Sequence, residues 1–265
     1  MDMQLKGKRA LVTGSSSGLG EAIAKMLAAE GAAVIIHGRN SGRASEVVAA
    51  IVQAGGKAEM AIGDLATDAG ADAVATAALQ SGPIDILVNN AGVTSHKSWG
   101  EASTADWLDI YNSNVVSYVR MIQRIVPQMK ELGWGRVVHI GGGLAIQPIR
   151  EQPHYNATLA ARHNLSVSLA RQLKETGITS NIVAPGAIIN PMVEEWLVNA
   201  APKFGWGTDL EEIKYKAVQE LIPNDTGRFG EPAEIAAAVT YLCSRYADYI
   251  SGATLRVDGG TIRSL

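Results

Sequence analysis

A single cysteine, Cys243, is all the thiol chemistry this chain of 265 residues holds. One cysteine excludes an internal disulfide, and its place at the end of the apolar helical stretch from Ile235 to Leu242 reads as core, not as an activated nucleophile. Basic residues are not in excess: 23 Lys and Arg stand against 26 Asp and Glu, a formal net charge of -3. No broad positive field is therefore present to draw nucleic acid or anionic lipid. Long apolar runs are missing too. No segment is long enough to span a bilayer, and Met1 to Lys6 lack the apolar block of a signal peptide. The expectation is a cytoplasmic protein with neither a membrane nor a nucleic-acid partner. In that setting the Asn-x-Ser/Thr triplets at Asn156 and Asn164 carry no meaning as glycosylation sites. Acid is absent from one further place: no Asp or Glu lies between Glu30 and Glu46.

What the chain does have is apolar residues, 47% of the total, enough to bury one large core. Continuous apolar runs predict strands at Arg9–Val12, Ala33–His37, Lys57–Ile62, Ile84–Asn89, Gly135–Ile140, Thr179–Val183 and Thr254–Val257. Helical patterns fall between them, near 19–30, 42–54, 68–81, 105–131, 154–176 and 232–244. Strands that are apolar throughout suit a parallel sheet covered on both faces. Strand–helix alternation with short links predicts right-handed crossovers. The fold expected is α/β, a doubly wound, Rossmann-like parallel sheet forming one domain over residues 1–265. Ligands of such sheets sit beyond the carboxyl ends of the strands.

The first strand end carries Thr13-Gly14-Ser15-Ser16-Ser17-Gly18-Leu19-Gly20. Glycines permit a tight turn and a close approach of backbone to pyrophosphate, while the following helix offers free N–H groups and a favourable dipole. Gly14, Ser16, Ser17, Gly18, Leu19 and Gly20 are thus candidates for holding a dinucleotide. The spacing is G-x-x-x-G-x-G, not G-x-G-x-x-G, and Gly/Ser loops also join strands to helices for purely structural reasons. The second strand end reads His37-Gly38-Arg39-Asn40. Arginine here suits a ribose 2′-phosphate where an acid would suit the 2′-OH, so Arg39 points to NADP(H) over NAD(H); a solvated loop charge is the plainer alternative. At the third end, Asp64 and Leu65 could hold an adenine edge, or Asp64 could belong to the cap of the next helix. The fourth end is Asn89-Asn90-Ala91-Gly92, where asparagine amides could cross-link turns beside the cofactor.

Taken in order, the glycine turn, Asn89-Asn90-Ala91-Gly92, Tyr155, Pro185-Gly186, Arg228-Phe229-Gly230-Glu231-Pro232 and Val257-Asp258-Gly259-Gly260 resemble the short-chain dehydrogenase/reductase family along the whole chain. The resemblance implies a seven-stranded parallel sheet, a nicotinamide dinucleotide and a homotetramer. Its two interfaces would form from helices near 105–131 and 154–176 and from the C-terminal segment. It places Asn90, Ala91, Gly92, Tyr155, Pro185, Gly186 and Ile188 against the cofactor. The family's catalytic tetrad is Asn, Ser, Tyr and Lys, and Asn114 and Tyr155 match two members. The serine position, thirteen residues before Tyr155, falls on Gly142 within Gly141-Gly142-Gly143. The lysine position, four residues after Tyr155, falls on Leu159, and Asn190 stands where the family usually has Thr.

Tyr155 without a neighbouring cation is a poor base, because a free phenol with pKa near 10 is ionised about once in a thousand at pH 7. It stays protonated and able to act as an acid. The candidates for support are His139, Arg150, Glu151, His154, Arg162 and His163. Arg162 lies two helical turns from Tyr155 on a similar face, about 10 Å along the axis, and reads as a surface or interface charge. His154 reads as a mouth residue or a structural one. Residues 190–226 match the family's substrate lid, and Met192, Trp196, Leu197, Phe204, Trp206 and Tyr215 suggest a partly apolar small-molecule substrate, although ordinary helical packing would use the same residues. His96, Lys97 and Trp99 would line the opposite rim. The function expected is an oxidoreductase with an atypical site; a silent cofactor-binding homologue and a non-redox lyase or hydrolase on the same fold are the alternatives.

Overall fold

The computed structural model describes residues 2–263. Seven strands form one parallel sheet in the order β3-β2-β1-β4-β5-β6-β7. They are β1 (Arg9–Val12), β2 (Ala33–Gly38), β3 (Lys57–Ile62), β4 (Ile86–Asn89), β5 (Gly135–Ile140), β6 (Ile178–Pro185) and β7 (Thr254–Val257). Successive strand side chains point to opposite faces, and here both faces are covered. Ala10 and Val12 of β1 join the apolar cluster beneath α1 (Gly18–Ala29), α2 (Ser41–Gln53) and α9 (Pro232–Cys243). Leu11, between them, joins the cluster beneath α3 (Asp68–Leu79) and α5 (Ser117–Leu132). That two-sided burial explains why the strand reads as unbroken apolar sequence.

The long helix expected over 105–131 is two helices, α4 (Thr104–Tyr111) and α5, joined by one turn of π-helix at Asn112–Val116. Helix α6 (Pro153–Gln172) begins with proline at its first position, where the missing N–H costs no bond. Cys243 is fully buried and burial pushes its thiol up to about 12, which suits a core residue.

Between β6 and α9 the chain forms α7 (Pro191–Phe204) and α8 (Leu210–Leu221). These two helices share an apolar cluster of their own, centred on Leu197, Trp206, Ile213 and Val218. Trp206 donates through Nε1 to Glu220 at 2.9 Å and stacks on Phe204.

Candidate active site

The strand order turns back between β1 and β4, and there the glycine turn meets Asn90. The Asn90 amide donates to the Thr13 and Gly14 carbonyls at 2.8 and 3.1 Å, while Thr13 Oγ1 accepts from the Asn90 and Ala91 N–H groups. Gly14 has φ of 64°, and a Cβ there would stand 2.9 Å from Ala91 Cα. A Cβ at Gly20 would strike the Gly14 carbonyl oxygen. Only glycine fits at either place. Ser17, the residue capping α1, makes no side-chain bond to the helix, so the first N–H groups of α1 face the groove uncapped.

His37 ties the base of this groove together. Gly14 N–H donates to its Nδ1 at 2.8 Å, which leaves the proton on Nε2, 3.2 Å from the Gly63 carbonyl. Burial lowers its pKa to about 4, and the neutral ring is the form that can accept from Gly14.

Gly14, Ser16, Ser17, Gly18, Leu19, Gly20, Arg39, Asp64, Leu65, Asn90, Ala91 and Gly92 all line one groove. The structure adds His37, Asn40 and Arg43 to its walls. Arg43 is a second cation beside Arg39, four residues on in the sequence, and that spacing is the signal that could have found it. Asp64 also lies in the turn that leads into α3: its Oδ1 accepts from Ala66 N–H at 3.0 Å and its carbonyl accepts from Thr67, the residue that caps the helix. Gly186 and Ile188, following Pro185 at the end of β6, line a separate cavity with Arg228, Asp258 and Gly259. Asn190 lines the first groove and also caps α7, accepting from Val193 N–H at 3.0 Å.

Asn114 sits in the π-helical turn and is fully buried. Its side chain holds both polar groups of Val93, at 2.8 and 2.9 Å, and donates to Thr158 Oγ1 at 3.2 Å. Thr158 in turn donates to the Tyr155 carbonyl at 2.8 Å. Asn114 thereby clamps the loop after β4 to the first turn of α6, where Tyr155 stands. No hydrogen bond among the described residues engages the Tyr155 hydroxyl. Burial raises the Tyr155 pKa, and the Arg162 charge pulls it down in part.

Of the supporting candidates, Arg162 sits differently from expectation, while His154 and His139 take structural places inside the protein. Arg162 is neither surface nor interface charge; it is 4% exposed, folded back along α6 beneath Asn114. His154 takes the structural of its two readings: it is fully buried against Trp107, with neither ring nitrogen hydrogen-bonded. His139 lies inside the protein between Asn89 and Ser180, stacked on Tyr118, and burial lowers its pKa to about 3. Arg150 and Glu151 pair with each other on the surface. The triple glycine after β5 is filled from outside: the places for a Cβ at Gly141, Gly142 and Gly143 adjoin His163, Leu159 and Ile262. Among the described residues no group of three His, Cys, Asp or Glu side chains could hold a metal, and no helix is long and apolar enough to cross a membrane.

Comparison with known proteins agrees with this geometry. Residues 8–200 match the family model described as short chain dehydrogenase. An uncharacterised oxidoreductase of Bacillus subtilis is 37% identical over 267 residues, with both chains covered in full. The 3-oxoacyl-[acyl-carrier-protein] reductase of Aquifex aeolicus is 35% identical over 98% of this chain and 99% of its own. L-sorbose reductase of Gluconobacter frateurii, solved with NADPH and L-sorbose, superposes with a TM-score of 0.94 at 34% identity, covering both chains completely. The chain belongs to the short-chain dehydrogenase family.

Proposed function

We propose that the protein is an NADP(H)-dependent oxidoreductase that reduces a carbonyl or oxidises an alcohol, with Tyr155 as proton donor or acceptor in an atypical site. The carrying observation is the groove at the switch point, where the uncapped N-terminus of α1, two glycines that admit no side chain and the Arg39–Arg43 pair converge. These residues fit a dinucleotide. The helix end would hold pyrophosphate, Arg39 and Arg43 a 2′-phosphate, and Asp64 and Leu65 the adenine edge. NADPH in the sorbose reductase structure, and NADP in that of gluconate 5-dehydrogenase from Burkholderia cenocepacia (TM-score 0.87, 28% identity), support this choice of cofactor.

A reduced nicotinamide would supply the hydride. The chain's own part is to position and to move a proton. As a carbonyl carbon accepts hydride, the Tyr155 O–H bond breaks and its proton passes to the carbonyl oxygen. Asn114 holds the tyrosine's turn in place. Gly142 and Leu159 stand where the family carries serine and lysine, so neither a hydroxyl nor an ammonium completes the site in the usual way. Residues 190–226, with α7 and α8 packed on each other, form the lid over a small, partly apolar substrate, and four copies of the chain assemble into a tetramer.

Leu159 packed into the Gly142 space favours a second reading, a cofactor-binding homologue without turnover. A fluorescence titration with NADPH and NADH, followed by a ketone panel monitored at the nicotinamide absorbance band, separates the two. Binding with turnover supports the oxidoreductase; tight binding with no turnover supports the silent homologue; absence of binding overturns both.

A further inference from the structure

The dinucleotide groove lies at the carboxyl ends of the strands, and a second cleft opens at the other end of the sheet. Its volume is about 810 Å³, and it lies where β5 and β6 begin and β7 has not yet joined them. β5 and β6, six and eight residues long, put roughly 20 Å of sheet between the two sites.

Two buried polar side chains in this cleft lack partners. Arg136 and Thr179 are cross-strand neighbours in the β5–β6 register, so their side chains share one face of the sheet. Arg136 is 1% exposed and Thr179 7%, and both line the cleft. Arg136 donates through Nη1 to the Gly135 and Gly177 carbonyls and through Nη2 to Asp248, but its Nε has no acceptor. Thr179 Oγ1 has no partner either. Buried donors left unmet are costly, and two side by side mark a place for an acceptor.

Charge points the same way. Three cations line the cleft, Arg136, Arg171 and Lys174, against two carboxylates, Asp248 and Glu175. Arg136 pairs with Asp248 and Lys174 with Glu175 at 3.2 Å. Arg171, near the end of α6, is left with no ion-pair partner among the described residues. The rest of the wall is apolar. Val167, Leu173 and Ile178 contribute to it, with the Trp134 ring, which has Lys8 Nζ and the Arg136 guanidinium 3.7 and 4.3 Å from its centre. A bare phosphate would leave that wall uncovered, and a neutral apolar ligand would leave both donors unmet.

We propose that this cleft is a second ligand site, for a small amphipathic carboxylate. The headgroup accepts from Arg136 Nε and Thr179 Oγ1 and balances Arg171, while the apolar body lies along Trp134, Leu173 and Ile178. One unbalanced cation beside two unmet donors suits a single monoanionic head, and the apolar wall supplies contact that a simple anion cannot use. The site stands apart from the nicotinamide groove and from the reaction proposed there.

The test is calorimetric titration of the whole protein with octanoate, alongside tryptophan fluorescence and thermal melts, since a ligand of the folded chain raises the melting temperature. Saturable binding is expected, with or without bound NADPH, and the fluorescence change should be lost in Trp134→Phe. Arg171→Glu is expected to weaken octanoate at least about tenfold by placing like charges together. Thr179→Val should weaken it as well, and both variants should bind NADPH as wild type does. Octan-1-ol and inorganic phosphate should each bind more weakly than octanoate. Absence of saturable octanoate binding, equal affinity in wild type and the two folded variants, or full displacement of octanoate by NADPH overturns the proposal. It is equally overturned if octanoate fails to bind and Arg171→Glu dissociates an assembly that wild type forms in sedimentation, because the cleft is then a contact between copies of the chain.

Discussion

Leu159 fills the space that a side chain at Gly142 would take: a Cβ built there would stand 3.0 Å from Leu159 Cδ1 and 3.6 Å from Cδ2. The backbone sets no obstacle, since φ at Gly142 is 175°, open to any residue. The two positions therefore form one packed unit. Gly142→Ser alone is expected to lower the melting temperature, because the leucine methyls must give way. With Leu159→Lys the crowding is relieved and a hydroxyl and an ammonium enter together. We expect the double variant to reduce ketones with NADPH at least about tenfold faster than wild type, roughly 1.4 kcal/mol of barrier. Tyr155→Phe in that background should remove the gain. A folded, NADPH-binding double variant no faster than wild type would show a pocket rebuilt for other chemistry.

NADPH is expected to bind more tightly than NADH. Arg39 and Arg43 both reach the groove, and no acid between Glu30 and Glu46 opposes them. Arg39→Asp should reverse the preference, read by fluorescence titration with each cofactor. Tighter binding of NADH by wild type would contradict the placement of the 2′-phosphate.

Direction and pH follow from Tyr155, whose pKa is raised by burial above its ordinary value near 10. An acid with a raised pKa stays protonated through neutral and mildly alkaline solution. Carbonyl reduction should thus be nearly independent of pH between about 6 and about 9. Alcohol oxidation needs the tyrosinate and should rise about tenfold per pH unit over that range. Initial rates in both directions test this, and an oxidation rate that stays flat would contradict it.

Acid should destabilise the fold through His37 and His139, lowered to about 4 and about 3. Each titrates near 6.5 when unfolded, so between that value and the folded one the unfolded chain binds more protons. Stability then falls with falling pH, by about 1.4 kcal/mol per pH unit for each histidine across that window. Thermal melts should be level above about pH 7 and decline below about 6.5. Replacing His139 by Asn should flatten the decline, and a slope unaltered in that variant would contradict the assignment.

The interfaces implied by the family leave Leu108 and Trp99 as apolar surface on the α4 side, 72% and 70% exposed. We expect a homotetramer in sedimentation at micromolar concentration; a stable monomer would contradict it.

Much of the scaffold is legible in the sequence because unbroken apolar runs belong to strands buried on two faces. β1 and β5 begin and end where the pattern does; the edge strands β3 and β7 also match in extent, although polar residues interrupt them and both are largely exposed. The π-helical turn at Asn112–Val116 is not legible, since one extra residue in a turn leaves the apolar spacing of α4 and α5 almost continuous. In the site, residues whose role is backbone geometry are readable: Gly14, Gly20 and Asn90 stand where chain order puts them. Side chains that travel are not. The Cα of Arg162 lies two turns from Tyr155, yet the Asn114 carbonyl draws its guanidinium inward. His154 neighbours Tyr155 in sequence and so resembles a rim residue, but the offset of one helical position turns it toward Trp107 and the core.

The proposed chemistry turns on Tyr155 transferring a proton during nicotinamide-dependent carbonyl reduction. The most direct measurement is NADPH consumption by purified wild type and Tyr155→Phe with the same ketone panel, cofactor affinity being measured for both. We predict turnover by wild type with at least one ketone, lost roughly a hundredfold or more in Tyr155→Phe, with NADPH affinity retained. Equal rates in the two proteins, or NADPH bound by both with no ketone reduced by either, would contradict it.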